Sequence, residues 1–309
     1  MRVGRCSHRS QRGSMPTPAP VLVSGGHRGL RCRICWAAAA LCATVAAADT
    51  DTADALGPAM PAVAVVSAVA EHSATVIWLH GLGEEAKHWS GIAAQSKIRN
   101  PHVRWLFPTA KKRVISLHPG SPVPAWFDLR TYQFREDGFG FEDEDAGGLA
   151  ESTGVLRALV DQEIEQFGIA ADRIVVGGFS QGGVVAMDLA CVSSDLPTRL
   201  AGIVTMGSWI PFEGGCARPT AQASATPALM LHGAQDRLVP SYAVEGAADE
   251  LAARGMRRLI FRRLANLGHS GSGDVTENVL RFVSEVLRPL GPENIVPSLD
   301  AHLPPAHEL

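Results

Sequence analysis

From about residue 72 onwards, short apolar runs alternate with helical patterns along the chain. Six of the runs are continuously apolar and bounded by turn residues, which is typical of strands buried on both faces of a parallel sheet. These runs are Thr75–Leu79, Val103–Phe107, Ile174–Gly177, Gly202–Met206, Ala228–Leu231 and Leu259–Leu264. Apolar residues at helical spacing predict helices over Gly148–Phe167, Tyr242–Arg254 and Asp274–Leu287. This alternation predicts an α/β fold with a mostly parallel central sheet and helices on both faces.

The two ends of the chain differ from this body. We therefore divide the sequence into a leader over residues 1–60, a single compact domain over residues 72–288 and a Pro-rich tail over residues 289–309. The first 48 residues contain seven Arg and no acidic residue. The apolar run Ile34–Ala48 is shorter than the roughly 20 residues that a membrane-spanning helix needs.

Three interpretations of the leader stay open at this point. A basic start before an Ala-rich run resembles a cleavable secretory signal, and the acid-free, Arg-rich composition also resembles an organelle transit peptide. Alternatively, the leader is an unstructured extension or a misassigned start, with Met60 as the true first residue. In the third interpretation it is a retained anchor, because Cys35 and Cys42 lie beside the apolar run and such cysteines are acylation sites.

Composition narrows the function classes. The chain has 309 residues, of which 46% are hydrophobic, so it can form one well-buried core. Its net charge is −3, and without its first 48 residues it carries 21 basic and 31 acidic residues, which gives no reason to expect a nucleic-acid partner. The body has only Cys191 and Cys216, which form neither a disulfide framework nor a zinc-ligand pattern, and this favours a reducing compartment.

The first chemical candidate is Ser180, in the pentapeptide Gly178–Gly182. The pentapeptide alone is a weak signal, but it stands between a predicted strand and a plausible helix, Val184–Cys191. This setting resembles the nucleophile elbow of α/β-hydrolases, in which small residues permit a strained turn that exposes the serine hydroxyl. The sequence therefore predicts that Ser180 is a nucleophile.

A serine nucleophile needs a base, and the base needs an orienting carboxylate. In α/β-hydrolases the chain order is serine, then acid, then histidine. His269 follows the last predicted strand, at the strand end where such folds place reactive groups, so we predict it as the base. Asp236 follows the strand before it and is the predicted acid, with Asp188 as the rival. Asp188 is less favoured because it lies in the helix after Ser180.

An oxyanion hole completes the predicted site. One donor is expected to be the backbone N–H of Gln181, the residue after the nucleophile, and the other the N–H of Leu82 in the loop His80–Gly83. We expect His80 itself to be a structural hydrogen-bonding residue rather than a catalytic one.

Taken in order, these segments resemble the acyl-protein thioesterase, lysophospholipase and carboxylesterase family of the α/β-hydrolases. The matching stretches are His80–Gly83, Trp126–Asp128, Gly177–Gly183, Trp209–Pro211, His232–Pro240 and Gly268–His269. The resemblance covers residues 75–287, nearly the whole body. It implies a serine hydrolase that cleaves acyl thioesters or esters without a metal or cofactor.

The same resemblance implies substrates and partners. The substrates are S-acylated (palmitoylated) proteins, lysophospholipids or small carboxylic esters. The enzyme would reach them during transient contact with a membrane surface. It further implies a monomer or weak dimer in the cytoplasm. The alternative location is an organelle or the secretory pathway, reached through the leader. Trp126, Trp209 and Leu238, together with Leu82, occupy positions that match the family's acyl pocket. A non-catalytic ligand receptor of the same fold is the alternative from another class.

Two departures from the family pattern leave acyl-chain length open. Glu84 replaces the family's usual Asp after His80–Gly83. The segment Lys111–Pro122, which matches the part that reaches over the acyl site, is Pro-rich in an unfamiliar way.

Overall fold

The computed structural model describes residues 60–135, 140–192, 196, 198–211, 219–271 and 273–291. The leader up to residue 59 and the tail from residue 292 lie outside these ranges, so the predictions made for them are not addressed by the structure.

Within the described residues, seven strands form one sheet. They are β1 (Val63–Val66), β2 (Ala74–Leu79), β3 (Val103–Pro108), β6 (Ile174–Phe179), β7 (Gly202–Met206), β8 (Ala228–Gly233) and β9 (Leu259–Leu264). Their order in the sheet is β1-β3-β2-β6-β7-β8-β9. Strand β1 pairs with β3 in antiparallel fashion, and the remaining neighbours pair in parallel. A separate two-stranded hairpin is formed by β4 (Lys112–Ile115) and β5 (His118–Pro124).

Helices connect the parallel strands, and a further helix follows the last strand. They are α1 (Ser90–Arg99), α2 (Ala146–Phe167), α3 (Gln181–Val192), α4 (Ala221–Ala225), α5 (Ser241–Ala253) and α6 (Gly273–Val286). Helix α2 is capped at its N-terminus by Asp145, whose side chain accepts a hydrogen bond from the N–H of Gly148, and at its C-terminus by Gly168 in the left-handed conformation. None of the helices in the described part of the chain is long and apolar enough to cross a membrane.

Strand β2 shows why the sheet is buried on both faces. Ile77 and Leu79 belong to one apolar cluster, together with residues of α2, α3 and α5. Val76 and Trp78 point to the opposite face and belong to a second cluster with residues of α1 and α6. The predicted α/β fold, with helices on both faces of a mostly parallel sheet, is confirmed.

The structure adds elements that the periodicity did not reveal. Strand β1 extends the sheet to Val63, before the predicted domain start at residue 72, and escapes notice because it is a short edge strand with partly exposed residues. The Pro-rich segment after β3 is the β4–β5 hairpin, outside the main sheet, where proline removes no ladder hydrogen bond from a central strand. Helix α1 buries only Ile92, Ala93 and Ser96, so its apolar stripe is too weak to be read from the sequence.

Cys191 is disulfide-bonded. The cysteine pattern of the sequence did not predict this bond, because two cysteines in the body form no disulfide framework.

Candidate active site

Ser180 lies in the sharp turn between β6 and α3. Its φ is 51°, and it is the one non-glycine residue with positive φ among those the structure describes. Its N–H donates to Met206 O at 2.8 Å, which ties the turn to the neighbouring strand. The flanking glycines are required by contact, since a Cβ on Gly178 or Gly182 would lie 2.6 Å or 2.4 Å from Leu79 O. The strained elbow expected from the pentapeptide is present.

The structure brings together the serine, histidine and aspartate that the chain order predicts. The Ser180 hydroxyl donates to His269 Nε2 at 3.0 Å, and His269 Nδ1–H donates to Asp236 Oδ2 at 2.8 Å. The parallel strands β6, β8 and β9 place the three residues at one edge of the sheet, because their carboxyl ends lie side by side. This is the geometry by which a base can take a serine proton while a carboxylate orients the base.

The hydrogen bonds to the Asp236 carboxylate favour its ionised form. Burial acts to raise its pKa, but the hydrogen bond from His269 and the N–H groups of Val239 and Leu238 outweigh burial and hold the pKa below its usual range. Both N–H groups donate to Oδ1 at 2.9 Å, which leaves Oδ2 for His269.

The rival Asp188 is engaged elsewhere. The Thr153 hydroxyl donates to Asp188 Oδ2 at 2.7 Å, which ties the aspartate to helix α2 rather than to His269. Burial raises the pKa of Asp188, although the Thr153 hydrogen bond opposes the shift. Of the two aspartates, Asp236 is the one that accepts a hydrogen bond from His269.

Two buried histidines support the loops around the site. His80 Nδ1–H donates to Gly81 O at 2.7 Å and its Nε2 accepts from the Ala110 N–H at 3.0 Å, as expected for a structural residue. His232 Nε2–H donates to Val239 O at 2.8 Å, within the loop that carries Asp236. Burial lowers the pKa of both histidines, so both pairings fit neutral imidazoles.

Leu82 and Gln181, the predicted oxyanion donors, border the same cavity as Ser180 and His269. Neither backbone N–H has an acceptor among the described residues. The Gln181 side chain is bound instead, since its Oε1 accepts from the Trp126 N–H at 3.1 Å and its Nε2 donates to Phe127 O at 2.9 Å. Two free N–H groups beside a serine hydroxyl are what an oxyanion hole requires.

The cavity over Ser180 measures about 170 Å³ and is walled mainly by apolar side chains. Of the predicted acyl-pocket residues, Leu82, Trp209 and Leu238 line it. Trp126 does not. It is a core residue, 2% exposed, whose indole N–H donates to His80 O at 2.8 Å and whose ring packs on His80. The pocket assignment of Trp126 is therefore corrected, for a physical reason: its indole is oriented by that buried hydrogen bond.

Sequence reasoning missed five lining residues, namely Leu129, Tyr132, Phe141, Phe179 and Val239. Phe141 packs against the Trp209 ring at 4.7 Å, and the Trp209 indole N–H donates to Glu144 Oε1 at 2.7 Å. The segment that carries Leu129 and Phe141 has no regular periodicity, so its role in the wall had no sequence signal except its aromatic content. Within the described ranges, no group of three or more His, Cys, Asp or Glu side chains could hold a metal ion.

Comparison with known families agrees with this geometry. The phospholipase/carboxylesterase family of α/β-hydrolases matches residues 60–287. The chain belongs to the phospholipase/carboxylesterase family.

The chain is also similar to proteins named as acyl-protein thioesterases. The chain is 30% identical to acyl-protein thioesterase 1 homolog 1 of Dictyostelium discoideum, over 71% of this chain and 93% of the relative. It is 32% identical to acyl-protein thioesterase 1 of Gibberella zeae, over 73% of this chain and 95% of the relative.

Among solved structures, acyl-protein thioesterase 2 of Zea mays matches with a TM-score of 0.61 and 27% identity, covering 74% of this chain and 99% of that one. A Bacillus cereus carboxylesterase shares the fold, with a TM-score of 0.59 and 17% identity, covering 74% of this chain and 95% of that one. Both the predicted family and its fold are confirmed.

Proposed function

We propose that this protein is an acyl-protein thioesterase, which removes fatty acyl groups from S-acylated cysteines by a Ser180–His269–Asp236 triad. The observation that carries the proposal is the continuous chain of hydrogen bonds from Asp236 to His269 to Ser180, at the floor of an apolar cavity. Membership of the phospholipase/carboxylesterase family and the similarity to named thioesterases give the substrate class.

In the acylation step, Ser180 Oγ attacks the thioester carbonyl carbon while His269 Nε2 takes the hydroxyl proton. The carbonyl oxygen becomes an oxyanion, stabilised by the N–H groups of Leu82 and Gln181. Collapse of the tetrahedral intermediate breaks the carbon–sulfur bond, and the imidazolium returns the proton to the departing thiolate. The products are a free cysteine thiol and an ester of the fatty acid on Ser180.

Deacylation repeats these steps with water as the nucleophile. His269 takes a proton from water, the hydroxide attacks the acyl-enzyme carbonyl, and the proton passes to Ser180 Oγ as the carbon–oxygen bond breaks. Asp236, ionised because its hydrogen bonds lower its pKa, stabilises the imidazolium in both halves. The apolar walls formed by Trp209, Leu238 and Phe141 accommodate the acyl chain.

A fluorophosphonate probe tests the proposed chemistry directly, because it modifies only activated serines. We expect the wild type to be labelled and to hydrolyse S-palmitoyl peptides, and Ser180→Ala to do neither. Ser270→Ala is the matched control, since Ser270 is exposed and next to His269, and it should be labelled like the wild type. Equal labelling of Ser180→Ala, or an unlabelled wild type, would exclude the enzyme and favour a non-catalytic ligand receptor.

Lysophospholipid hydrolysis is the second candidate, favoured by the description of the matching family. The two activities share the acyl-enzyme and differ in the leaving group. Parallel kinetics with S-palmitoyl peptides, lysophosphatidylcholine and a short-chain ester decide between them. Absence of turnover with S-acyl peptides, together with turnover of the lysophospholipid, would overturn the thioesterase proposal.

The proposal extends to partners and location. S-acylated proteins are the proposed substrates, reached by transient contact with a membrane surface, and the protein acts as a monomer or weak dimer. A cytoplasmic location follows from the same resemblance. Cell fractionation of the full chain beside a chain starting at Met60 tests the location, and gel filtration tests the oligomeric state.

A further inference from the structure

Glu84 makes two hydrogen bonds to Gly81 across the turn that carries Leu82, one through its backbone and one through its side chain. The Glu84 N–H donates to Gly81 O at 3.2 Å, which makes Gly81–Glu84 a β-turn, and Gly83 in this turn has a φ of +77° that favours glycine. The Glu84 carboxylate returns to the start of the turn, where its Oε2 accepts from the Gly81 N–H at 2.8 Å. The Gly83 N–H donates to Pro124 O at 2.8 Å, which anchors the turn to the β4–β5 hairpin.

The same carboxylate oxygen has a second partner. The Trp89 indole N–H donates to Glu84 Oε2 at 2.7 Å. Trp89 stands outside the cavity lining, in the turn just before helix α1. Glu84 thus links the turn that carries Leu82 to an aromatic ring outside the cavity.

Packed aromatic side chains connect the Trp89 ring to the catalytic base. The Trp89 ring lies 5.3 Å from the Phe179 ring, and the Phe179 ring lies 4.8 Å from the His269 ring. Phe179 is the residue before Ser180 and also touches the turn, because a Cβ on Gly81 would lie 2.8 Å from its Cδ1. One hydrogen-bonded carboxylate therefore joins the Leu82 turn to the elbow and to the base.

We propose that Glu84 is a positioning residue for the oxyanion hole, which fixes the Leu82 N–H relative to Ser180 through its bonds to Gly81 and Trp89. The inference rests on the proposed function and deepens it. Oxyanion donors stabilise a transition state only when they are held in place before the reaction, so a mobile turn would bind substrate normally and react slowly.

Four variants separate the two hydrogen bonds. Glu84→Ala removes both, and Glu84→Gln keeps an acceptor oxygen at the same reach without the charge. Glu84→Asp keeps the charge but withdraws it by one methylene from Trp89. Trp89→Phe removes the indole donor and preserves the aromatic packing. Glu85→Ala is the matched control, because Glu85 is the neighbouring, solvent-exposed glutamate paired with Lys87.

We expect Glu84→Ala to lose about 10- to 100-fold in kcat with little change in KM, less than the 10²- to 10³-fold typical for deletion of a donor. Glu84→Gln should recover most of the loss, Glu84→Asp and Trp89→Phe should be intermediate, and Glu85→Ala should match the wild type. Active-site titration with a fluorophosphonate normalises each rate to the fraction of folded enzyme. A general loss of folding therefore does not count as an effect on kcat.

An alkyl trifluoromethyl ketone provides the readout that a merely structural role would not change. It forms a tetrahedral adduct with the serine whose oxyanion occupies the same hole, so its affinity should fall across the variants in proportion to kcat/KM. The inference is overturned if Glu84→Ala retains its kcat, if inhibitor affinity does not follow kcat/KM, or if Glu84→Gln is as impaired as Glu84→Ala. Failure of the proposed function is distinct, because the wild type itself would then show no turnover.

Discussion

At the residue scale, the strain at Ser180 separates the effect of its backbone from that of its hydroxyl. A non-glycine residue at positive φ costs about 1 kcal/mol relative to glycine. Both Ser180→Ala and Ser180→Gly remove the nucleophile, but only glycine adopts a φ of 51° without steric strain.

We therefore predict that Ser180→Gly is more stable than Ser180→Ala by about 1 kcal/mol, although both are inactive. Guanidinium chloride unfolding of the two variants measures the difference in the free energy of unfolding. A Ser180→Ala variant as stable as Ser180→Gly would show that the elbow is not strained in solution.

Two aspartates of equal burial give the next prediction at this scale. Asp236 and Asp188 are both 8% exposed, but only Asp236 accepts a hydrogen bond from His269. Asp236→Asn should lower kcat by about 10³- to 10⁴-fold, because a neutral amide stabilises neither the required tautomer nor the imidazolium.

Asp188→Asn is the control, since its amide oxygen can still accept from Thr153 and burial already favours the uncharged form. It should retain nearly wild-type kcat. Steady-state kinetics with one thioester substrate compares them, and a larger loss in Asp188→Asn than in Asp236→Asn would contradict the assignment of the acid.

At the element scale, part of the cavity wall comes from the segment between the β4–β5 hairpin and helix α2. Phe141 is 3% exposed and lies between Phe134, at 4.4 Å, and Trp209, at 4.7 Å. Gly140 before it has a φ of +66°, and a Cβ there would lie 2.3 Å from Glu144 Oε1, so backbone and side chains fix the ring together.

Phe141→Ala should enlarge the cavity and shift the preference toward longer acyl chains. The ratio of kcat/KM for palmitoyl over octanoyl thioesters should rise by about fourfold for each additional methylene that becomes buried, as about 0.8 kcal/mol per methylene implies. Phe134→Ala is the control, because Phe134 packs against Phe141 but does not line the cavity. A ratio that rises equally in both variants would show that loosening of the segment, and not the Phe141 wall, sets chain length.

At the scale of the whole molecule, buried neutral histidines make the fold sensitive to mild acid. Burial lowers the pKa of His80, His102 and His232 below 6.5, the value for a free side chain. Between that value and the lower folded pKa, the unfolded chain binds protons that the folded protein does not. The free energy of unfolding should therefore fall as the pH drops from 7 toward 5, by up to about 1.4 kcal/mol per pH unit for each such histidine.

His102→Gln tests this away from the active site. His102 Nε2–H donates to Leu287 O at 2.6 Å, and the charge of Arg173 adds to burial in lowering its pKa. Glutamine can keep the donor but does not titrate, so its stability should decline less steeply in mild acid. Denaturant unfolding at several pH values measures both slopes, and identical slopes would contradict the linkage for His102.

The alternation of apolar runs and helices, read from the sequence alone, predicted the α/β fold and the positions of six sheet strands to within two residues. It succeeded because these strands are buried on both faces and their hydrophobicity is a local property. The edge strand β1 and the Pro-rich hairpin were missed. A partly exposed strand can be identified from its pairing in the structure but not from its own composition.

The sequence by itself singled out Ser180, Asp236 and His269, because each follows a predicted strand. The carboxyl ends of parallel strands lie at one edge of the sheet, so residues that follow them lie close together. Only the tertiary structure decided which side chains surround them. Trp126 turned out to be a core residue and Phe141 a wall residue, although both are aromatic and both are nearly fully buried. The link from Glu84 through Trp89 and Phe179 to His269 likewise joins residues far apart in the chain, and such contacts depend on packing directions that no local pattern records.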